Sequence, residues 1–308
     1  MRGFVAPTDQ GWYQYLRARP ELEEVNFWRP GAGGFSALRP GEPFFFKLKA
    51  PHNAIGGFGQ FARFARLPLW MAWEVFGESN GVSSIEGLRS RLNVLSSRSG
   101  PFQLDHQIGC IAVAFPTFFP PDDWVPVPAD WKHNIVSGRT YDLAAGPGRA
   151  LWNACVERAV ATSDPDEWTS ELADTLRHGQ PQLVKPRLGQ GSFRLAVMDA
   201  YGRACAVTTE HSLPVLEAAH IRPFSQGGRH EVKNGIPLRR DLHRLFDLGY
   251  VTVRPDRSFA VSRQLRDDYA NGRVYYELDG RRIAVPARPE ERPAPEFLEW
   301  HGDVLFRG

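Results

Sequence analysis

Histidine titrates closest to neutral pH of the common side chains and is the commonest metal ligand. Here its distribution is uneven. Four of the nine histidines, His211, His220, His230 and His243, fall within residues 211–243, where an even spread would place about one. Around them the chain reads Cys205-Ala-Val-Thr, then Val215-Leu-Glu-Ala-Ala-His220-Ile-Arg-Pro, then a polar, glycine-bearing stretch from Ser225 to Lys233. It continues Asn234-Gly-Ile-Pro-Leu-Arg-Arg-Asp-Leu-His243-Arg-Leu-Phe-Asp247-Leu-Gly249. This order predicts strand, strand, loop, helix. On a helix from Arg239 to Leu248, Leu242, Leu245 and Phe246 make the buried stripe, while His243 and Asp247, four apart, share a face and can chelate one divalent ion. His220 ends an apolar strand, where a neutral imidazole can take a proton from water. Asn234 opens the connection into the helix and can fix the His220 ring through its amide or backbone. A base, its orienter and a metal that stabilises charge on a phosphate and its leaving oxygen form one hydrolytic machine.

The segment 187–262 resembles the HNH endonucleases with the ββα-metal fold, in particular those with an Ala-Ala-His-Ile-x-Pro strand and an Asn-Gly-x-x-Leu-x-x-x-x-His-x-Leu-Phe-Asp helix. The resemblance implies His220 as general base, Asn234 as the family's asparagine and His243 as the metal-binding histidine. It departs at one position. Many members carry an aspartate ligand just before the first histidine, and here that residue is Ala219. Asp247 is the first substitute for the unaccounted ligand, with Glu217 and Asp241 as weaker candidates. The Cys-x-x-Cys pairs that hold a structural zinc in many relatives are absent, so the module is expected to rest on its core alone. His211 and His230 are expected to be loop residues that meet solvent or phosphate. Cys205 is expected in the core, on the strand before the site and not as a nucleophile.

Charge is distributed to suit a polyanion. From Pro181 to Arg244 there are ten basic residues and five acidic ones, a local +5 against a whole-chain +2, so the remainder sums to −3. Arg222, Arg229, Lys233, Arg239 and Arg240 are candidate phosphate contacts, which give affinity without reading sequence.

The elements that must position this site follow from texture. Up to residue 142 the chain is dense in aromatics, glycine and proline, with turn signals every ten or so residues, as in a β-rich domain. A helix opens at Thr8 or Asp9 and carries Trp12, Tyr13 and Leu16 on one face. Strands are expected at Glu24–Trp28, Pro43–Lys49, Leu69–Phe76 and Gly109–Phe115, and helical capacity sits at Ser84–Leu95. From Gly146 the texture turns helical, with one helix at Ala150–Ala161. A second is marked by an Asp164 cap, Pro165, Glu167 and the stack Trp168, Leu172, Leu176 before Gly179. Gln180 to Gln190 reads as linker. Strand-like Tyr250–Val253 and Phe259–Val261 flank Pro255-Asp256, and a short helix or strand closes near Phe297–Phe306.

The front segment, with Val25-Asn-Phe-Trp28-Arg-Pro and Pro40-Gly-Glu-Pro-Phe-Phe-Phe-Lys47-Leu-Lys49-Ala-Pro-His52-Asn53-Ala-Ile-Gly-Gly57-Phe-Gly59, is similar to the PUA-like superfamily of small β-barrels. Some of its modules take a flipped, modified base into an aromatic pocket. That resemblance implies stacking surfaces and polar readers of a base edge. Trp28, Phe46, Trp73 and Trp124 are the candidate stackers, and Asn26, His52, Asn53 and Asp105 the candidate readers. Lys47 and Lys49, alternating with Leu48, would share one strand face and could meet phosphate. Gly56-Gly57-Phe58-Gly59 is no dinucleotide fingerprint, because neither a helix start nor a spaced acidic residue follows.

The expected architecture is therefore α+β. A PUA-like barrel occupies 1–142, a helical linker 143–185 and an HNH nuclease module 186–308. Together they resemble modification-dependent restriction endonucleases, which implies cleavage of double-stranded DNA bearing a modified base such as 5-methylcytosine or 5-hydroxymethylcytosine, with Mg²⁺, Mn²⁺ or Ni²⁺. A one-site chain cutting both strands is expected to work as a homodimer, at least on DNA. Two other readings remain: a modified-DNA-binding protein with a degenerate nuclease half, and a repair or mobile-element nuclease. No stretch approaches the ~20 apolar residues of a membrane span, no signal core follows Met1, and the three cysteines form no framework. A cytoplasmic location is expected.

Overall fold

A computed structural model describes residues 1–96, 100–132, 134–162 and 188–308, and the chain divides into two compact units, Met1–Gly191 and Ser192–Gly308. The helix expected between Asp164 and Gly179 and the linker from Gln180 fall almost entirely outside the described residues.

The first unit is built on one mixed sheet. Its strands are β1 (Arg2–Thr8), β2 (Glu24–Arg29), β3 (Pro43–Leu48), β4 (Ala54–Pro68), β5 (Gln107–Phe118), β6 (Val125–Pro126) and β7 (Arg139–Asp142), in the order β2-β5-β4-β3-β1-β7 with β6 on β4. Among the described strands β1 and β3 pair parallel and the other pairs are antiparallel. The expected barrel is not closed. β2 ends the sheet on β5, β7 ends it on β1, and no described strand bridges those two edges. The long strands β4 and β5 slip register twice, between Phe58 and Gln60 and between Phe61 and Arg63, and such bulges bend a strand. Gly57 (φ 156°) lies so close to β5 that a Cβ would collide with the Thr117 carbonyl, which is why this strand carries glycine there.

Helices α1 (Gln10–Arg17), α2 (Leu69–Phe76), α3 (Ile85–Leu95) and α4 (Gly146–Thr162) complete the unit. Asp9 caps α1 by accepting from Trp12 N at 3.0 Å, and Ser84 caps α3 from Gly87 N at 3.1 Å. The strand expected at Leu69–Phe76 is instead helix α2. β4 runs on as far as Pro68, and the following Leu, Met, Ala and Glu are good helix formers that bury Leu69, Ala72 and Phe76 at a helical spacing. α4 packs Leu151, Trp152, Cys155 and Ala159 into one core with Val5, Phe45, Phe58 and Phe119. The expected break at residue 142 thus falls inside a single packed body.

The second unit opens with α5 (Gln190–Ala200). The hairpin β8 (Leu216–His220) and β9 (Gly235–Arg239) follows, then α6 (Arg240–Asp247), the hairpin β10 (Val251–Val253) and β11 (Phe259–Val261), α7 (Gln264–Tyr269), α8 (Arg273–Tyr276) and α9 (Pro295–Val304). The pair expected to begin at Cys205 is displaced by one strand. Left-handed residues at Arg203 (φ 59°) and Thr209 (φ 59°) turn the chain twice, so Cys205 sits in a turn. It is nonetheless fully buried, as expected, in a core with Ala219, Ile221, Ile236, Leu238, Leu242 and Phe246.

Candidate active site

The hairpin register sets the first two positions. His220 ends β8 opposite Gly235, and Glu217 stands opposite Leu238. Gly235 carries no side chain because a Cβ there would strike Val197 and the Phe193 ring. That ring stacks on His220 at 3.9 Å between centroids and 14° between planes. The edge of His220 meets a third ring, with Nε2 2.9 Å from Nδ1 of His230. Burial pushes the His220 imidazole down to about 4, and the neighbouring His230 and His243 charges add to it. At neutral pH His220 is therefore uncharged and able to accept a proton.

Helix α6 supplies the second half. Its i, i+4 spacing puts His243 Nε2 3.5 Å from Asp247 Oδ2, as the sequence pattern requires. Nδ1 of His243 lies 2.8 Å from Glu217 Oε2, and the other oxygen of Glu217 receives Arg240 Nε at 3.1 Å. A carboxylate can only accept, so Nδ1 carries the proton and the lone pair of Nε2 is directed to the Asp247 side. Glu217, a candidate ligand in the sequence, is thereby engaged with Nδ1 of His243 and with Arg240. Asp247 has a carboxyl raised above its ordinary value, chiefly by desolvation, with His243 and Arg244 pulling the other way. Ala219, at the position where many HNH members carry an aspartate, is fully buried against the core.

Asn234 does not touch the His220 ring. Fully buried, it accepts from Arg222 N at 2.9 Å and donates to Arg222 O at 2.9 Å and Arg229 O at 3.0 Å, while its own carbonyl receives Ile221 N. It ties together the loop that begins after His220 and ends at His230. The expectation that it orients the ring directly is corrected: its amide is fully used by backbone. Gly228 shows how tight this loop is, since a Cβ there would collide with Arg222 O.

The phosphate candidates divide. Arg239 forks onto Asp241, with Nε 3.0 Å from Oδ1, and Arg240 is held by Glu217. Lys233 lies 3.7 Å from both Glu231 and Glu296. Arg222 donates from Nε to Gln226 O at 2.6 Å, and Arg229 is exposed. His230 and Phe193 are the residues that sequence reasoning missed. His230 was assigned to solvent or phosphate, although its place in the histidine cluster was the available signal.

Two of the front-segment candidates, Trp28 and Lys49, line a cleft of about 570 Å³ in the first unit, together with Trp12, Phe27, Phe35 and Arg29. The rest lie elsewhere. Phe46 is fully buried and stacked on Phe118 at 5.2 Å and 15°. Lys47 is also buried, donating to Asn53 Oδ1 at 2.8 Å, and desolvation followed by the charge of Lys49 lowers its pKa. It does not share an open strand face with Lys49, which is exposed just past the end of β3. Asn26 is fully buried and donates to Asn80 Oδ1 at 2.9 Å. His52 meets Trp124 edge-on at 4.8 Å, Trp124 donates to Tyr13 Oη at 2.9 Å, Trp73 is half-buried on α2, and Asp105 is exposed.

Residues 205–254 match the family model of the HNH endonucleases. The matched span runs from the turn at Cys205 through β8, β9, α6 and β10, and it supports an HNH-type nuclease, an enzyme acting on nucleic acid. Comparison with curated proteins returns no match. Among solved structures, the chain is similar to ASCH from Zymomonas mobilis, at 9% identity over 53% of this chain and 96% of that chain, with a TM-score of 0.32. A mutant of the same Zymomonas mobilis protein aligns at 10% identity over 57% and 96%, with a TM-score of 0.25. No helix among the described residues is long and apolar enough to cross a membrane.

Proposed function

We propose that the chain is a metal-dependent DNA endonuclease whose first unit reads a modified base. The observation that carries the nuclease half is the pairing of an uncharged His220 with a His243 whose Nε2 is freed, by Glu217 on Nδ1, beside Asp247. His220 takes the proton of the attacking water. Arg229 and Arg222 flank the loop beside it and suit the phosphates on either side of the scissile bond.

The donor set fits a divalent ion. One imidazole nitrogen and one carboxylate oxygen suit a cation that keeps several waters and also takes phosphate oxygens, as Mg²⁺ and Mn²⁺ do. Among the described residues no third His, Cys, Asp or Glu joins them, so His243 and Asp247 would hold the ion alone. Such an ion, when bound, offsets charge on the scissile phosphate and the leaving oxygen.

The reading half rests on the cleft of the first unit. Trp12, Phe27, Trp28 and Phe35 offer flat apolar walls, and Arg29, Lys49 and Asp9 offer charge at one site. Its volume lies within the range of about 300 to 1,000 Å³ usual for small-ligand pockets. A flipped base needs that combination of stacking surface and edge contacts. A PUA-like relationship and a homodimer on DNA belong to the same proposal.

The test is cleavage of three matched DNAs, unmodified, 5-methylcytosine-bearing and glucosylated-hydroxymethylcytosine-bearing, with Mg²⁺ or Mn²⁺, beside the His220→Ala protein. Cutting confined to one modified DNA and abolished by the substitution is the expected result. Equal cutting of all three removes the modified-base reader, and no cutting in either metal removes the nuclease.

A further inference from the structure

The contact between His220 and His230 is used by no step described so far. It is built with care. His220 is stacked on Phe193 at 3.9 Å, His230 on Phe224 at 4.8 Å and 5°, and the two imidazoles meet at 60° with Nε2 and Nδ1 2.9 Å apart. The loop that carries His230 is pinned to the chain just past His220 by the three side-chain bonds of Asn234. The geometry thus fixes which atoms face each other, and one proton must lie between them.

Two arrangements satisfy that bond. Either His220 donates from Nε2 and keeps its lone pair on Nδ1, or His230 donates and His220 carries its proton on Nδ1. Among the described residues Nδ1 of His220 makes no hydrogen bond. Leaving a half-buried N–H without an acceptor is costlier than leaving a lone pair without a donor. The first arrangement is favoured, and it is also the one a base requires.

We propose that His230 is a positioning residue for the hydrolysis. By accepting the Nε2–H of His220 it holds that ring in the tautomer whose Nδ1 lone pair takes the proton from water. This inference rests on the nuclease reading above and specifies how its base is prepared. In the step, a water O–H breaks and its proton goes to Nδ1 of His220. The water oxygen forms a bond to phosphorus as the bond to the leaving oxygen breaks. The leaving oxygen departs with the electron pair of the broken bond and takes a proton from water, and the proton on Nδ1 passes to bulk water, so the protons balance. Throughout, Nε2–H stays on His230, whose lone pair also stabilises the imidazolium that forms. The role is that of the acid partner in a serine-protease triad, filled by a neutral ring.

The experiment compares the parent with His230→Leu, which removes the acceptor, and His230→Asn, whose amide oxygen can occupy the position of Nδ1. The first readout needs no substrate. Long-range ¹⁵N–¹H correlation spectra of histidine-labelled protein, with His220 assigned from the His220→Gln variant, are expected to show the His220 proton on Nε2 in the parent and in His230→Asn. The second is cleavage. His230→Leu should lower kcat on the order of 100-fold, within the range for a general base, with KM unchanged, and His230→Asn should restore most of it. A parent spectrum with the proton on Nδ1, or a His230→Leu protein with parental kcat, overturns the proposal. A parent that cuts no DNA overturns the nuclease reading instead, while the spectrum still decides the tautomer.

Discussion

Replacing Asn234 by alanine separates two roles that an asparagine could have in this site. In the structure its side chain is fully buried and makes three bonds, to Arg222 N, Arg222 O and Arg229 O, at 2.9, 2.9 and 3.0 Å. Truncation leaves the Arg222 N–H and carbonyl without partners, while the Arg229 carbonyl keeps Glu231 N at 2.9 Å. Each bond contributes about 1 kcal/mol net, and each group left dry costs about 1 to 3 kcal/mol. With some water entering the space, the expected loss is roughly 3 to 4 kcal/mol. Asn234→Asp should cost at least as much, since it keeps the acceptor for Arg222 N but sets a carboxylate oxygen against two carbonyls. The assay is urea denaturation followed by a probe in the second unit, with cleavage measured alongside. Both variants should unfold at lower urea with unchanged slope, and kcat should fall because the loop no longer holds His230 against His220. If Asn234→Ala kept the parental midpoint and lost cleavage, the side chain would be acting on the ring or the phosphate, and the loop-clamp account would be wrong.

Three further outcomes can be checked. Glu217→Gln removes the charge that fixes the His243 tautomer, so Mn²⁺ affinity measured by titration calorimetry should fall about 10- to 100-fold; unchanged affinity would mean that Nδ1 is not what sets the ligand. His301 is 1% exposed, donates from Nε2 to Phe246 O, accepts from Thr252 and is pushed down to about 4 by burial. Because its folded value lies below the unfolded one of about 6.5, its share of stability is whole above that pH and declines as the pH falls toward 4, by up to about 3 kcal/mol. Stability measured against pH should therefore drop less steeply over that window in His301→Gln, and an identical slope would exclude the histidine. Gly228→Ala should lower both the melting temperature and kcat, because its Cβ meets the Arg222 carbonyl; a parental melting temperature would show that the loop can yield.

What could be read from the sequence was what depends on local spacing. His243 and Asp247 are neighbours on any helix, the helix start at Asp9 follows from residue type, and the strands at Glu24 and Pro43 come from their apolar runs. What could not be read was contact between elements. Glu217 reaches His243 only because β8 packs under α6, and His230 reaches His220 only because Asn234 folds the loop back. The alternation of Lys47 and Lys49 with Leu48 suggests one open face, yet β3 is an inner strand whose six residues, Phe46 and Lys47 among them, are all buried. The walls of the cleft come from β1, α1, β2, β5 and the segment after α3, so no single stretch of sequence announces it. Leu69–Phe76, eight residues apolar but for Glu74, is short enough to fit either period, so its pattern alone does not separate strand from helix.

The back of α6 carries a consequence of its own. His301 on α9 bonds the Phe246 carbonyl and stacks on its ring at 3.7 Å, and Arg307 N bonds Gly249 O at 2.9 Å. The helix bearing His243 and Asp247 is thus braced by residues more than fifty positions further along. During synthesis every candidate group of the site leaves the ribosome well before its brace does. Such distant pairings are made late, so the site residues exist as a string for some seconds before they can exist as a site. The helix that carries His243 and Asp247 therefore gains its last packing partners only when residues 301–307 have joined the second unit.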